Sequence, residues 1–550
     1  MSKIAPTAPE AYEPKDVEFA KDAVETSTSS KPSSVRLGES DGGVWASGGG
    51  IENYKPIPEY EGAHRYDPHF EWTENEEKRL VRRIDLKICA FVCLMFFCLQ
   101  LDRGNISQAL SDNMLSDLGM ITNQYNTGQT IFYLSFLCAE LPSQMLSKKL
   151  GPDMNIGIPI QMVLWSIISI SQCRLTDYKS FYATRCLLGL VEGGFIPDVV
   201  LYLSFFYKSK ELPIRLSFFW GSYITTQIIS ALLAYGILHL RSETGWAGWR
   251  WLFALEGGLT TIIGLFAAIY LPPSPTQTKG WFRGRDGWFN EREEKIMVNR
   301  VLRDDPAKGG MHNRQGLTLT LLWEALCDYD LWPIYLLGIT WTIPATPITA
   351  YLTLNLKSLG FDTFGTNLLT IPAYVLFGIQ LLWWTWVSER WNNRFGIVLV
   401  SMIWCFPLVL ALELMPSNAS PWAWYACSAL LVGYPYIHAI LVAITSRNAG
   451  SVRTRTVGSA IYNMAVQAGS IISSNIYRTD DAPYYRTGNK VLLGIIAWTA
   501  CLIVAIKFYY KWRNATREKA WSAMSSEQRD EYLRTTKDQG NKRLDFRFAH

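Results

Sequence analysis

The chain has 550 residues, of which 49% are hydrophobic and 13% aromatic, while charged residues reach only 18% and the net charge is +4. So small an excess, with no basic stripe interleaved with aromatics, excludes a nucleic-acid binder. The charges crowd into residues 1–83, a central stretch before residue 331 and the last forty or so positions, leaving apolar runs of about 20 residues, the pattern of a polytopic membrane protein and not of a soluble core.

In chain order, Met1–Gly62 is rich in Ser, Pro, Gly and acidic residues and shows no apolar period and no basic-then-apolar signal peptide. It reads as the start of a disordered cytosolic tail running to residue 83. Six candidate spans follow: Ile84–Leu101, Tyr125–Leu146, Met154–Ser171, Phe181–Phe206, Ile214–Leu238 and Trp251–Leu271. Pro272–Asp330 is a polar connection holding a charged surface helix at Asn290–Arg303 and an amphipathic one at Leu317–Cys327. Six more spans follow: Leu331–Leu354, Gly365–Val387, Phe395–Met415, Trp422–Thr445, Val457–Ile476 and Val491–Tyr510. The fold expected is an all-α membrane protein of twelve transmembrane helices in two pseudo-repeated six-helix bundles, 84–271 and 331–510. A cytosolic loop, 272–330, joins them, and a cytosolic tail, 511–550, closes the chain. The lysines and arginines of the central loop and the C-terminal tail place both termini in the cytosol. The sequon at Asn418 then falls outside, within reach of glycosylation.

The fourth span, FYATRCLLGLVEGGFIPDVVLYLSFF, carries Arg185 and Glu192 inside an apolar run. A charge at that depth is expensive unless it faces protein or a water-filled cavity, so it marks a functional site by default. Seven residues make almost two helical turns, which puts both charges on one face, roughly 10 Å apart along the axis. Gly189 and Gly193 stand beside that face at GxxxG spacing and suit close helix packing. The competing reading is a buried pair that only locks two helices together.

No GxxxxGK[ST] or HExxH occurs, which removes the commonest routes to ATP hydrolysis and zinc-dependent hydrolysis and leaves a carrier driven by an ion gradient, not an enzyme. The ten cysteines form no CxxC and mostly lie in apolar runs, so they read as packing residues with no metal site. His438, inside the tenth span, reads better as a buried, satisfied histidine than as a proton relay.

Six plus six spans, with LDRGNIS closing the first, AELPSQ in the second, RCLLGLVEGGFIP in the fourth and GWRWLFALEG in the sixth, resemble the major facilitator superfamily. More narrowly they resemble the fungal anion:cation symporter group typified by allantoate permease, over roughly Arg82 to Tyr510. The closing NKRLDFRF is similar to the tails of some fungal members. The resemblance implies proton-coupled uptake of a small organic anion, such as allantoate, nicotinate, pantothenate, biotin or a sulfur-containing acid, by a monomer in the bilayer of the plasma membrane. No cofactor is implied. Related vesicular and lysosomal anion carriers end the first helix with R-x-N-x-S, matched by Arg103, Asn105 and Ser107, and carry the fourth-helix Arg and Glu matched by Arg185 and Glu192. They also bear a seventh-helix arginine. Leu331–Leu354 has none, which argues against a dicarboxylate.

The residues support the same roles. A guanidinium stays charged and offers a fork that fits carboxylate or sulfonate, so Arg185 is the first choice for the anion. Glu192 is the first choice for the coupled proton, with Glu140 in reserve. Arg103 reads equally as an interfacial anchor at the end of its span, with Asp102 neutralising it locally. Asn463 and Gln467, one turn apart in the eleventh span, suit either a cavity lining or interhelical hydrogen bonds. Glu256 has no role beyond packing. After the second span KKLGPD, with Lys149, Gly151 and Asp153, stands where the superfamily's cytosolic clamp would be, and Glu389 and Arg390 of SERWNNR stand at its repeat. Uptake symport is preferred. The alternatives are proton-antiport efflux, disfavoured because the fifth span lacks GPxxGG, and a non-transporting or facilitative nutrient sensor.

Overall fold

The computed structural model describes residues 56, 60–150, 154–208, 211–240, 245–304, 323, 326–391, 393–449, 452–536 and 540–550. Its principal helices are α1 (Glu74–Ile84), α2 (Ala90–Ser111), α3 (Thr122–Leu150), α4 (Met154–Ser171), α5 (Tyr178–Glu192), α6 (Phe195–Ser204), α7 (Leu212–Leu238), α8 (Gly248–Tyr270) and α9 (Glu291–Asp304) in the first half of the chain. The second half holds α10 (Trp332–Thr340), α11 (Thr346–Ser358), α12 (Thr363–Trp391), α13 (Arg394–Leu414), α14 (Pro421–Val432), α15 (His438–Asn448), α16 (Val452–Ser473), α17 (Arg486–Ser522) and α18 (Ser526–Thr535).

Among the described residues, eight helical stretches are long and apolar enough to cross a membrane. The second, seventh, tenth and eleventh expected spans fall on α3, α10–α11, α14–α15 and α16, which are too polar or too interrupted to meet that measure. Leu134, Ile160, Leu164, Ile167, Ile379 and Leu382 are exposed on helix surfaces, where a bilayer accepts apolar side chains that water would not.

Three expected spans are broken. The fourth divides at Gly193–Gly194, the seventh at Trp341–Ala345 and the tenth at Gly433–Ile437. Each break carries Gly or Pro: GGFIP, WTIPATP and GYPYI. Proline removes a helical donor and clashes with the preceding turn. Pro142, Pro159, Pro372 and Pro407 lie inside continuous helices, so the cluster of breakers, not a lone proline, marks the interruption.

Hydrogen bonds between the two halves gather at the end remote from the termini. Tyr351 on α11 donates to Asn126 on α3, and Asn126 donates to the Tyr477 carbonyl. Lys357 Nζ reaches the Ser111 carbonyl at 2.6 Å, and Asn475 donates to Thr130 at 2.9 Å. One hydrophobic cluster joins both halves at this end and continues through the second half, while a second fills the terminus side of the first half. The molecule is therefore closed at the end away from the termini.

Three expectations are corrected here. Part of the stretch read as a disordered tail is folded: Thr73 and Glu76 form a capping box that starts α1, and Asn299 on α9 accepts from Asp67 N–H at 2.9 Å. Arg292 pairs with Glu76 at 2.9 Å and Arg83 with Glu293 at 3.0 Å. Both partners lie more than 200 residues away, beyond the reach of local pattern. Secondly, the first span was expected to end at Leu101, yet α2 runs to Ser111 because Asn105, Gln108 and Ser111 are buried inside the protein. The central helix read as a surface one coincides with α9 but buries Ile296, Met297 and Val301. Leu317–Ala325 of the second central helix lies outside the described residues except Trp323.

Candidate functional site

The site is built on three helices of the first half. Asp177 caps α5 through a capping box with Ser180, which fixes where the helix starts and hence where Arg185 and Glu192 project. Gly189 and Gly193 press α5 against α3: a Cβ on Gly189 would meet the Phe132 carbonyl at 2.4 Å, and one on Gly193 the Phe136 carbonyl at 2.7 Å. This close approach delivers both charges into the protein interior, with Arg185 2% and Glu192 0% exposed.

The two do not pair with each other. Glu192 Oε2 accepts from Arg103 Nε at 2.5 Å, and Arg185 Nη2 donates to Gln129 Oε1 at 2.9 Å. Gln129 in turn donates to the Tyr125 hydroxyl at 2.6 Å. The guanidinium of Arg185 lies 4.6 Å from the Phe132 ring centroid and that of Arg103 4.8 Å from Phe136, cation–π contacts that hold a cation where water is scarce. Arg185 Nε and Nη1, Arg103 Nη2 and Glu192 Oε1 are buried without a hydrogen-bond partner. A cluster of two guanidiniums and one carboxylate leaves one positive charge and several free donors, which a single anionic group is chemically able to satisfy.

The remaining residues singled out from sequence divide. Arg103 sits well inside α2, so it is no end anchor. Asp102 does not neutralise it: its carboxylate turns to α4, accepting from Trp165 Nε1 and Ser169 Oγ, both at 3.2 Å. Asn105 is fully buried beside Glu256 of α8, since two residues along a helix point nearly opposite ways. It is not brought to the Arg103 face. Glu140 is buried on α3, with Oε2 unpartnered. Asn463 and Gln467 are half-buried on α16, which packs against α10 and α3. Gly151 and Asp153, and the side chains of Lys149 and Glu389, lie outside the described residues. Arg390 is exposed at the end of α12.

Sequence reasoning missed the aromatic wall opposite the arginines. Tyr133 lies near both guanidiniums and near Tyr223 of α7. Tyr223 meets Phe377 of α12 at 6.0 Å, and Phe377 meets Tyr436 at 5.0 Å. Tyr436 joins the breaks of the seventh and tenth spans through Trp341 at 5.4 Å. His438 is packed among Trp341, Tyr436, Tyr462 and Trp220 at 5.6–6.0 Å, and its Nδ1 has no partner, so it is not the satisfied histidine expected. The available signal was the pair of Gly/Pro interruptions at GGFIP and GYPYI, in corresponding fourth and tenth spans.

Two halves of apolar helices, joined across one end, with a buried charged cluster and a facing aromatic wall between them, have the architecture of a membrane transporter. The family model described as Major Facilitator Superfamily matches residues 92–474, and the chain belongs to that superfamily. An uncharacterized transporter of Saccharomyces cerevisiae, YIL166C, is 47% identical over 89% of this chain and 90% of its own length. The MFS-type transporter efuF of Hormonema carpetanum is 27% identical over 80% of this chain and 86% of its own. Among solved structures, a bacterial homolog of the human lysosomal transporter Spinster, inward-facing and occupied, superposes with a TM-score of 0.57 at 12% identity over 76% of this chain and 96% of that one. A D-xylose–proton symporter gives 0.52 at 15% identity, over 76% and 97%. Both share the fold. The chain is thus an integral membrane transporter, not an enzyme.

Proposed function

We propose that the chain takes up a small organic anion together with a proton, by alternating access across the plasma membrane, as a monomer with both termini in the cytosol. The observation that carries this reading is Arg185, 2% exposed, with two donors unpartnered. A buried guanidinium left unsatisfied is costly, and an incoming carboxylate or sulfonate satisfies it. Glu192 is the proton site in this reading. Ionised, it holds Arg103; once protonated, it releases that guanidinium to join Arg185 on the anion, so proton and anion favour each other's binding. Glu140 is the reserve carboxyl, and Asn463 and Gln467 line the far wall. With the termini cytosolic, closure at the opposite end makes this an inward-facing state, and Lys149, Gly151, Asp153, Glu389 and Arg390 belong to the cytosolic gate. The substrate class is that of the allantoate permease-like group: a vitamin-like, allantoate-like or sulfur-containing acid.

Uptake of a panel of labelled organic anions, at acidic and neutral pH with and without an uncoupler, tests this. Acid-stimulated, uncoupler-sensitive accumulation should occur in the wild type and vanish in Arg185→Ala. Glu192→Gln should lose accumulation while keeping counterflow exchange. Accumulation that survives Glu192→Gln removes Glu192 as the coupling site.

A further inference from the structure

The last residues of the chain occupy a built receptor on the terminus side of the second half. Two asparagine side chains read two consecutive tail residues. Asn514 on α17 accepts from Phe548 N–H at 2.8 Å and donates to its carbonyl at 2.9 Å. Asn448, at the end of α15 and 0% exposed, accepts from Ala549 N–H at 2.7 Å and donates to its carbonyl at 3.2 Å. Each asparagine thus satisfies the whole backbone of one residue, the pairing a strand neighbour would give. The Phe548 ring, 2% exposed, lies 5.0 Å from Tyr510, with the Arg517 guanidinium 4.5 Å from its centroid. Arg547 Nε reaches Glu518 at 3.1 Å, and Asn541 Nδ2 reaches Asp328 at 2.5 Å. The tail therefore ties together the end of α15, the extension of α17 and the loop ahead of α10.

What it holds is a hinged piece. α15 follows the non-helical Gly433–Ile437, and at its far end Asn448 is paired with Ala549 of the tail. Its first residue, His438, belongs to the aromatic wall of the cavity. This half-helix starts at a Gly/Pro break and packs on α16, and the pin fixes its other end. We propose that Gly540–His550 is a peptide ligand for this receptor, a latch that holds α15 in place and thereby sets access to the cavity from the terminus side. Releasing it lets α15 move at the Gly433–Ile437 hinge.

The test needs no transported substrate, so it stands apart from the anion reading. Hydrogen exchange is followed in the purified full-length protein, in Ala549→Pro, which removes only the N–H that Asn448 accepts, in Phe548→Ala, and in the chain ending at Thr536. Exchange across α15 should rise at least about tenfold in all three variants while α2 and α4 keep their protection. A synthetic peptide of residues 540–550 should restore it in the shortened chain. Thiol labelling at Tyr436→Cys should change at least about threefold when Ala549→Pro is added. Unchanged exchange in α15, or exchange rising equally in every helix, overturns the latch. Raised exchange with unchanged labelling makes the tail a plain anchor and overturns its control of access.

Discussion

Arg185 and Glu192 lie on one helix, yet Gln129 holds the first and Arg103 the second. Removing Arg103 alone leaves a fully buried carboxylate without its cation, which costs roughly 3–5 kcal/mol. Replacing both members by leucine leaves no orphan charge, so Arg103→Leu with Glu192→Leu should unfold in detergent at a higher temperature than Arg103→Leu alone, while both fail to transport. Arg185→Lys keeps the charge but loses the planar fork and the face against Phe132. Its uptake efficiency should fall at least about tenfold, roughly 1.4 kcal/mol of binding, read as kcat/KM for whichever anion the panel identifies. That Arg185 and Glu192 lie inside a span, buried, was legible, because charges stand out in an apolar run. Their partners were not, because a helix face says nothing about which neighbour packs on it.

At the scale of the helix, the α3–α5 contact rests on absent side chains. A Cβ at Gly189 would sit 2.4 Å from backbone that cannot yield cheaply, so Gly189→Ala should destabilise by about 1–3 kcal/mol. Gly221 on α7 has nothing within 4 Å of a Cβ, and Gly221→Ala should stabilise by up to about 1 kcal/mol through helix propensity. Thermal unfolding of the two variants side by side separates close packing from a general penalty on glycine replacement. The span positions were legible from hydropathy, since a bilayer demands about 20 apolar residues. The extension of α2 to Ser111 was not: its polar residues lack the apolar signal of a span, and their partners, among them Ser230 receiving from Gln108 and Asn367 donating to Ser111, lie on other helices.

For the whole molecule, alternating access requires the closed end to open, with one half rocking against the other. Asn123 and Thr479 meet across that end, each backbone N–H donating to the other's side chain at 3.1–3.2 Å. A cysteine pair at these positions, once oxidised, should block transport, and reduction should restore it; transport that continues through the cross-link would mean this end does not open. The stretch from Tyr60 to Ile84 folds onto α9 through ion pairs and backbone contacts. That platform ties the start of the first bundle to the link between halves.

Composition and charge placement by themselves determined a polytopic helical membrane protein in two halves, because burial in lipid leaves its demand on every span independently of the others. The charges inside the fourth span stood out for the same reason. Only the tertiary structure decided that Glu192 belongs to Arg103, that Asn105 turns away to Glu256, that three spans break beside an aromatic wall, and that the chain's last residues dock beneath α15. Each of these depends on contacts between segments far apart in sequence, and the free energy that selects among such pairings exists only once the segments are packed together.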